Sequence, residues 1–281
     1  MLTITDHRRD SLALNYIYVV DSRRAGGLSI GINLNTNNAC NWRCIYCQVP
    51  NLRRGNAPAA NLELLEHELG SVLDDILHDD FFDKYNIRSE NRTIRDLAIS
   101  GNGEPTTCKN FDQVIKQIGR VLETAGLNNR LKPVLITNGS LVNQSRVQKG
   151  IAYLSALNGE VWFKLDSATD AGIKNINNAS ISIAKIRRHL EITANLCPTW
   201  IQTCVFGLKG EPPSKREQEE YIHFLSSVLK QGTRLHGVLL YGIARPSKQK
   251  EASSLSRLPM EWLNQFAIKI KETGFEVRIN A

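Results

Sequence analysis

The chain has 281 residues, of which 42% are hydrophobic and 22% charged, with a formal net charge of +7. These values fit a globular protein large enough to bury a real core, in one large or two small domains. Six cysteines are too few for a disulfide scaffold at this length and point to a reducing compartment. No apolar stretch reaches the ~20 residues a membrane helix needs. The first ten residues carry Asp6, His7, Arg8, Arg9 and Asp10 in place of an apolar signal core. A soluble, cytoplasmic protein with no membrane partner is expected.

In chain order, residues 1–25 read as an N-terminal extension. An apolar strand-like run covers 28–34 and leads into Cys40-Asn-Trp-Arg-Cys44-Ile-Tyr-Cys47, a C-x3-C-x2-C loop. Thiolates this close bind a soft metal or an iron–sulfur cluster more readily than they pair as disulfides. Four protein ligands are usual for structural zinc and for electron-transfer clusters, so three leave a coordination position open. Spacing alone also admits a zinc site with a distant fourth ligand.

Beyond the loop, helix and strand patterns alternate. Leu62, Leu65, Leu69, Val72, Leu73 and Ile76 share a helical face, and 95–100 is a strand. Phe111, Val114, Ile115, Ile118, Val121 and Leu122 make the next helix face, with Gly126 as its stop. Strands are predicted at 133–137, 160–166, 199–206, 237–243 and 275–279. Helices are predicted at about 143–156, 183–196, 214–230 and 259–273. This series predicts an α/β fold with parallel strands, a partial (β/α)6 TIM-type barrel. Residues 26–246 form the barrel, and 247–281 add a helix and strand to the same domain.

In such barrels the chemistry lies at the C-terminal strand ends. The 95–100 strand runs into Gly101-Asn-Gly103-Glu104-Pro, a glycine turn that allows close ligand approach. The next strands end at Thr137-Asn138-Gly139-Ser140 and at Lys164-Leu-Asp166-Ser167. Strand alternation puts Lys164 with Asp166, and Gln202 with Cys204, on common faces. Cys108, Cys197 and Cys204 show no ligand spacing and read as buried structural thiols. His67, His78, His189 and His223 fall on predicted helices and need no functional role.

Charge is uneven. Residues 1–60 carry +4, residues 241–281 carry +3, and the middle is neutral. Arg23, Arg24, Arg43, Arg53 and Arg54 flank the cysteine loop, and Arg245, Lys248 and Lys250 follow the last strands. At one mouth they would attract a polyanion or a phosphorylated substrate.

The cysteine spacing resembles the cluster motif of the radical S-adenosylmethionine superfamily. GNGEPT, LITNGS, EVWFKLDSAT and LLYGIARP resemble its branch of wyosine-type tRNA-modifying proteins, over about residues 31–246. The resemblance implies a [4Fe-4S] cluster on Cys40, Cys44 and Cys47, with S-adenosyl-L-methionine on the open iron. Reductive cleavage would then yield a 5′-deoxyadenosyl radical that attacks a substrate. It places Tyr46 near the adenine, Gly103 and Glu104 at the amino group, and Asn138 beside the cofactor. Lys164, Asp166, Ser167 and Gln202 would face its ribose or carboxylate. Asn102 stands where the family element has a glycine. The wyosine synthases also bind a second cluster through upstream cysteines, and residues 1–39 have none.

The implied partners are an electron donor such as flavodoxin or ferredoxin and a tRNA or phosphorylated substrate. A radical activase or peptide-modifying enzyme is a second reading. A non-catalytic metal module, with Cys108 or a histidine as fourth ligand, is a third.

Overall fold

The computed structural model describes residues 12–22, 27–78, 80–128 and 130–280. Its centre is an eight-stranded sheet: β1 (Ile17–Ser22), β2 (Gly27–Ile32), β3 (Ile94–Ile99), β4 (Lys132–Thr137), β5 (Glu160–Lys164), β6 (Thr199–Val205), β7 (Gly237–Gly242) and β8 (Val277–Asn280). The spatial order is the sequence order. β1 runs antiparallel to β2, and every other neighbouring pair is parallel. A helix fills each crossover after β2: α1 (Leu62–His78), α2 (Phe111–Thr124), α3 (Ser145–Ala156), α4 (Ile183–Leu196), α5 (Lys215–Lys230) and α6 (Met260–Lys271).

Sequential order with a helix in every crossover is the winding of a β/α barrel, not of a doubly wound sheet. The sheet ends at β1 and β8, so the barrel is partial. Six β/α units stand where the alternation predicts them, followed by β8. The antiparallel β1 lies in the segment expected as an extension. Nothing in its own pattern separates IYVVDS from an apolar tail, since its pairing partner supplies its reason to be a strand.

The helices bury the faces their periodicity marks. In α1 these are Leu65, Leu69, Val72, Leu73 and Ile76, and in α2 Phe111, Val114, Ile115, Ile118, Val121 and Leu122. Each such side chain contributes about 1.5–3 kcal/mol of burial. Gly126, at φ +65°, follows the end of α2 as its stop.

β6 shows how the sheet aims side chains. All seven residues are buried. Thr203 turns outward to a 2.6 Å hydrogen bond with Tyr221 of α5, while Gln202 and Cys204 turn inward. Among the described residues, no helix is long and apolar enough to cross a membrane.

Candidate metal and cofactor site

The cysteine loop lies over the C-terminal strand ends and roofs a cavity of about 340 Å³. Cys40, Cys44 and Cys47 face it from the loop. Ser100, Gly101, Gly103 and Glu104 form the wall after β3, and Asn138 the wall after β4. Lys164, Gln202, Cys204 and Tyr241 form the opposite wall, with Asn280 and Arg245 at its edge. Trp42, Val49, Leu52, Ile136 and Ile243 supply apolar surface.

Two remote segments hold the loop. Ile173–Asn177 is a π-helical turn, whose backbone carbonyls Asn177 and Ile176 accept from the amides of Arg43 (3.0 Å) and Ile45 (2.8 Å). Asn178 ends that turn in the left-handed region at φ 48° and donates its amide to the Arg43 carbonyl at 2.9 Å. From the other side, Ser247 Oγ donates to the carbonyls of Ile45 (2.7 Å) and Cys47 (3.1 Å). The Lys248 amide donates to the Cys47 carbonyl at 2.9 Å. Arg43 forms a two-pronged pair with Glu251, at 2.8 and 2.6 Å. That pair lowers the Glu251 carboxyl pKa and raises that of Arg43. Arg54 donates to the carbonyls of Asn41 and Asn178.

The basic rim is therefore only partly free to attract anions. Arg43 and Arg54 bind the loop itself, Arg53, Lys248 and Lys250 are exposed, and Arg23 and Arg24 lie outside the described residues.

The glycine turn presses on the loop from below. A Cβ at Gly103 would sit 2.0 Å from the Ala39 carbonyl oxygen, so no other residue fits without moving the loop. Glu104, buried at 3% exposure, ties the turn to the next strand end. Its Oε1 accepts from Thr106 N (3.1 Å), Thr106 Oγ1 (2.6 Å) and Thr137 Oγ1 (2.6 Å), and its Oε2 from Asn138 N (2.6 Å). Burial raises the Glu104 pKa against the pull of these donors. Asn138 Nδ2 donates to Asn41 Oδ1 at 2.9 Å, which joins β4 to the cysteine loop. Gly139, at φ +67°, lets the chain turn over the Phe163 ring.

On the far wall, Lys164 Nζ donates to Tyr241 Oη at 3.1 Å and lies 3.8 Å from Asp166 Oδ1. Burial is the largest single influence and works against its charge, but Asp166, Tyr241, Cys44 and Cys204 together outweigh it and the pKa is raised well above the usual lysine value.

Of the eight predicted cofactor contacts, Tyr46, Gly103, Glu104, Asn138, Lys164 and Gln202 line the cavity with the three cysteines, whereas Asp166 and Ser167 do not. Asp166 lies behind the wall as a buried hub. It accepts from Tyr46 Oη (2.5 Å), Asn177 Nδ2 (2.7 Å) and Cys204 N (3.0 Å). Ser167 donates to Glu217 of α5 at 2.7 Å, which takes its hydroxyl away from the cavity. The reason is that β5 ends at Lys164, so strand alternation no longer governs the residues beyond it.

Sequence reasoning missed Asn177, Tyr241, Asn41 and Asn280. Their positions depend on contacts between segments far apart in the chain, and only the Asn-Asn turn pair at 177–178 gave a local signal.

The donor set fits an iron–sulfur cluster. All six cysteines are free thiols; Cys40, Cys44 and Cys47 face the cavity from the loop, and Cys204 lines its opposite wall. Burial pushes Cys40 and Cys44 up to about 12, so binding a metal would release their protons. Among the described residues, no three His, Cys, Asp or Glu side chains converge on a single ion. A cluster spreads its ligands over separate irons and asks for wider spacing than one ion does. Cys108 is fully buried beside Asn110, 3.2 Å from its Oδ1, and Cys197 is buried near Gly159; neither reaches the cavity.

No family model matches the chain. GTPase Obg of Brachyspira hyodysenteriae is 24% identical over 250 residues, 86% of this chain. The chain spans only about a third of that relative's length (32%). It contains no Gly-x4-Gly-Lys-Ser/Thr phosphate loop, so GTP hydrolysis is not carried over. Two solved structures share the fold. TYW1 with a lysine–pyruvate adduct bound aligns at TM-score 0.57 and 16% identity, over 87% of this chain and 73% of its own. A radical SAM methyltransferase from Sphaerobacter thermophilus aligns at 0.58 and 15%, over 93% and 68%. The chain has the partial-barrel fold of these two solved structures.

Proposed function

We propose that the chain is a radical SAM enzyme whose Cys40, Cys44 and Cys47 hold a [4Fe-4S] cluster next to S-adenosyl-L-methionine. The observation that carries this reading is the convergence of the three free loop thiols, the buried Glu104 carboxylate and the half-buried Lys164 on one cavity of about 340 Å³ at the strand ends. When bound, the reduced cluster supplies the electron that cleaves the cofactor's sulfonium into a hydrogen-abstracting radical.

The chain's own residues position and shield. Glu104 fixes the turn after β3 and gives the cavity a negative wall suited to an ammonium group. Lys164, held protonated by Asp166, gives the opposite wall a positive charge suited to a carboxylate. Tyr46 is fixed on the cavity wall by its hydrogen bond to Asp166 and by Phe206, whose ring centroid lies 5.5 Å away, and would contribute aromatic surface beside a bound base. The apolar residues of the cavity would help exclude water from the reacting atoms.

The proposed substrate is an RNA base. Arg53, Lys248 and Lys250 are exposed beside the cysteine loop, and the strand-end segments resemble the wyosine-type branch. The electron donor would be a flavodoxin or ferredoxin.

The test is anaerobic reconstitution of the full chain and of Cys44→Ala with iron and sulfide. Dithionite and S-adenosylmethionine follow, with iron content and 5′-deoxyadenosine as readouts. The wild type should bind iron and form the product, and the variant should form none. A colourless, zinc-loaded wild type, or full product from the variant, refutes the reading. For the substrate, tRNA binding should weaken steeply with salt; binding indifferent to salt argues against RNA.

A further inference from the structure

Asn177 is fully buried, and its side chain sits between two groups of the site. Its Nδ2 donates to Cys44 Sγ at 3.2 Å and to Asp166 Oδ2 at 2.7 Å. Its Oδ1 is buried and has no hydrogen-bond partner. An orphaned buried acceptor costs about 1–3 kcal/mol. The opposite amide orientation would relieve nothing, because it would point oxygen at the Asp166 carboxylate. The carboxylate therefore fixes the amide with one N–H on itself and the other on the sulfur.

Holding the cysteine loop does not require this side chain. The backbone carbonyls of Asn177 and Ile176 and the side chain of Asn178 already bind it. The amide adds one thing that the backbone does not, a hydrogen bond to the sulfur of a cysteine. The π-helical turn that presents it is a form found often at functional sites.

We infer that Asn177 is a positioning residue that raises the reduction potential of the cluster by donating a hydrogen bond to Cys44 sulfur. This rests on the cluster reading above. Reduction adds negative charge, and a donor at a ligand sulfur stabilises the more negative state. Asp166 sets the strength of that donor by holding the amide in place.

The test compares the reconstituted wild type with Asn177→Leu, which keeps the volume and loses the donor. Asn177→Ser, smaller and easier to accommodate, is the second variant. Iron and sulfide per chain are measured first, then the midpoint potential by redox titration followed by electron paramagnetic resonance. Both variants should load as the wild type does, with potentials shifted downward. Full loading with an unchanged potential overturns the inference and leaves the cluster reading intact. A wild type that binds no cluster overturns both. Loss of the cluster in both variants makes Asn177 an assembly residue and overturns the tuning role.

Discussion

Glu104 offers the sharpest stability test, because its four hydrogen bonds join two strand ends below the cysteine loop. Glu104→Ala strands four donors. The hydroxyls of Thr106 and Thr137 can rotate to other acceptors, but the backbone amides of Thr106 and Asn138 cannot. Each orphaned buried amide costs about 1–3 kcal/mol, so the two together cost roughly 3–5 kcal/mol once the small void is added. Glu104→Gln is milder. Its carbonyl can take the Asn138 amide and its NH2 can donate to a threonine hydroxyl, which leaves one backbone amide unpaired and a loss of about 1.5–2.5 kcal/mol. At roughly 2–4 °C per kcal/mol for chains near this size, the alanine variant should melt ~10 °C lower. Urea unfolding followed by circular dichroism measures both losses. An alanine variant within 1 kcal/mol of wild type, or a glutamine variant less stable than alanine, would refute the hydrogen-bond account.

Three further outcomes are expected. Gly139→Ala forces a side chain into the left-handed region and into the Phe163 ring, with the new Cβ 2.1 Å from Cε2; it should cost about 2–4 kcal/mol in the same urea assay. A double-mutant cycle on Arg43 and Glu251, each side chain 23% exposed, should give a coupling of about 1 kcal/mol. Because Arg43 lowers the Glu251 pKa, that coupling is present above the unfolded value of 4.5 and is lost as pH falls through the folded one. His189 is buried with Nδ1 2.7 Å from the Gly139 carbonyl, and burial lowers its pKa below 6.5. The unfolded chain then binds the proton more readily, so stability should fall as pH drops below about 6.5, and His189→Gln should flatten that slope between pH 7.5 and 5.5.

The sequence by itself determined the six β/α units, because helix and strand periods are local properties of side-chain order. It also determined the cysteine loop and the strand-end residues that share the cavity, since strand direction alone sends those ends to one face. Lys164, Gln202 and Cys204 follow from alternation along β5 and β6. Only the tertiary structure decided the rest. β1 is a strand because β2 offers it a partner. Ser167 turns from the cavity because Glu217, 50 residues away, takes its hydroxyl. Asp166 stands behind the wall because three donors from the loop, the π-helical turn and β6 converge on it. Arg43 and Arg54, read as free charge, spend it on Glu251 and on backbone carbonyls. Asn177 reaches Cys44 across 133 positions of chain. Each of these depends on which distant polar groups must be satisfied once water is gone, and that is settled by packing, not by local pattern.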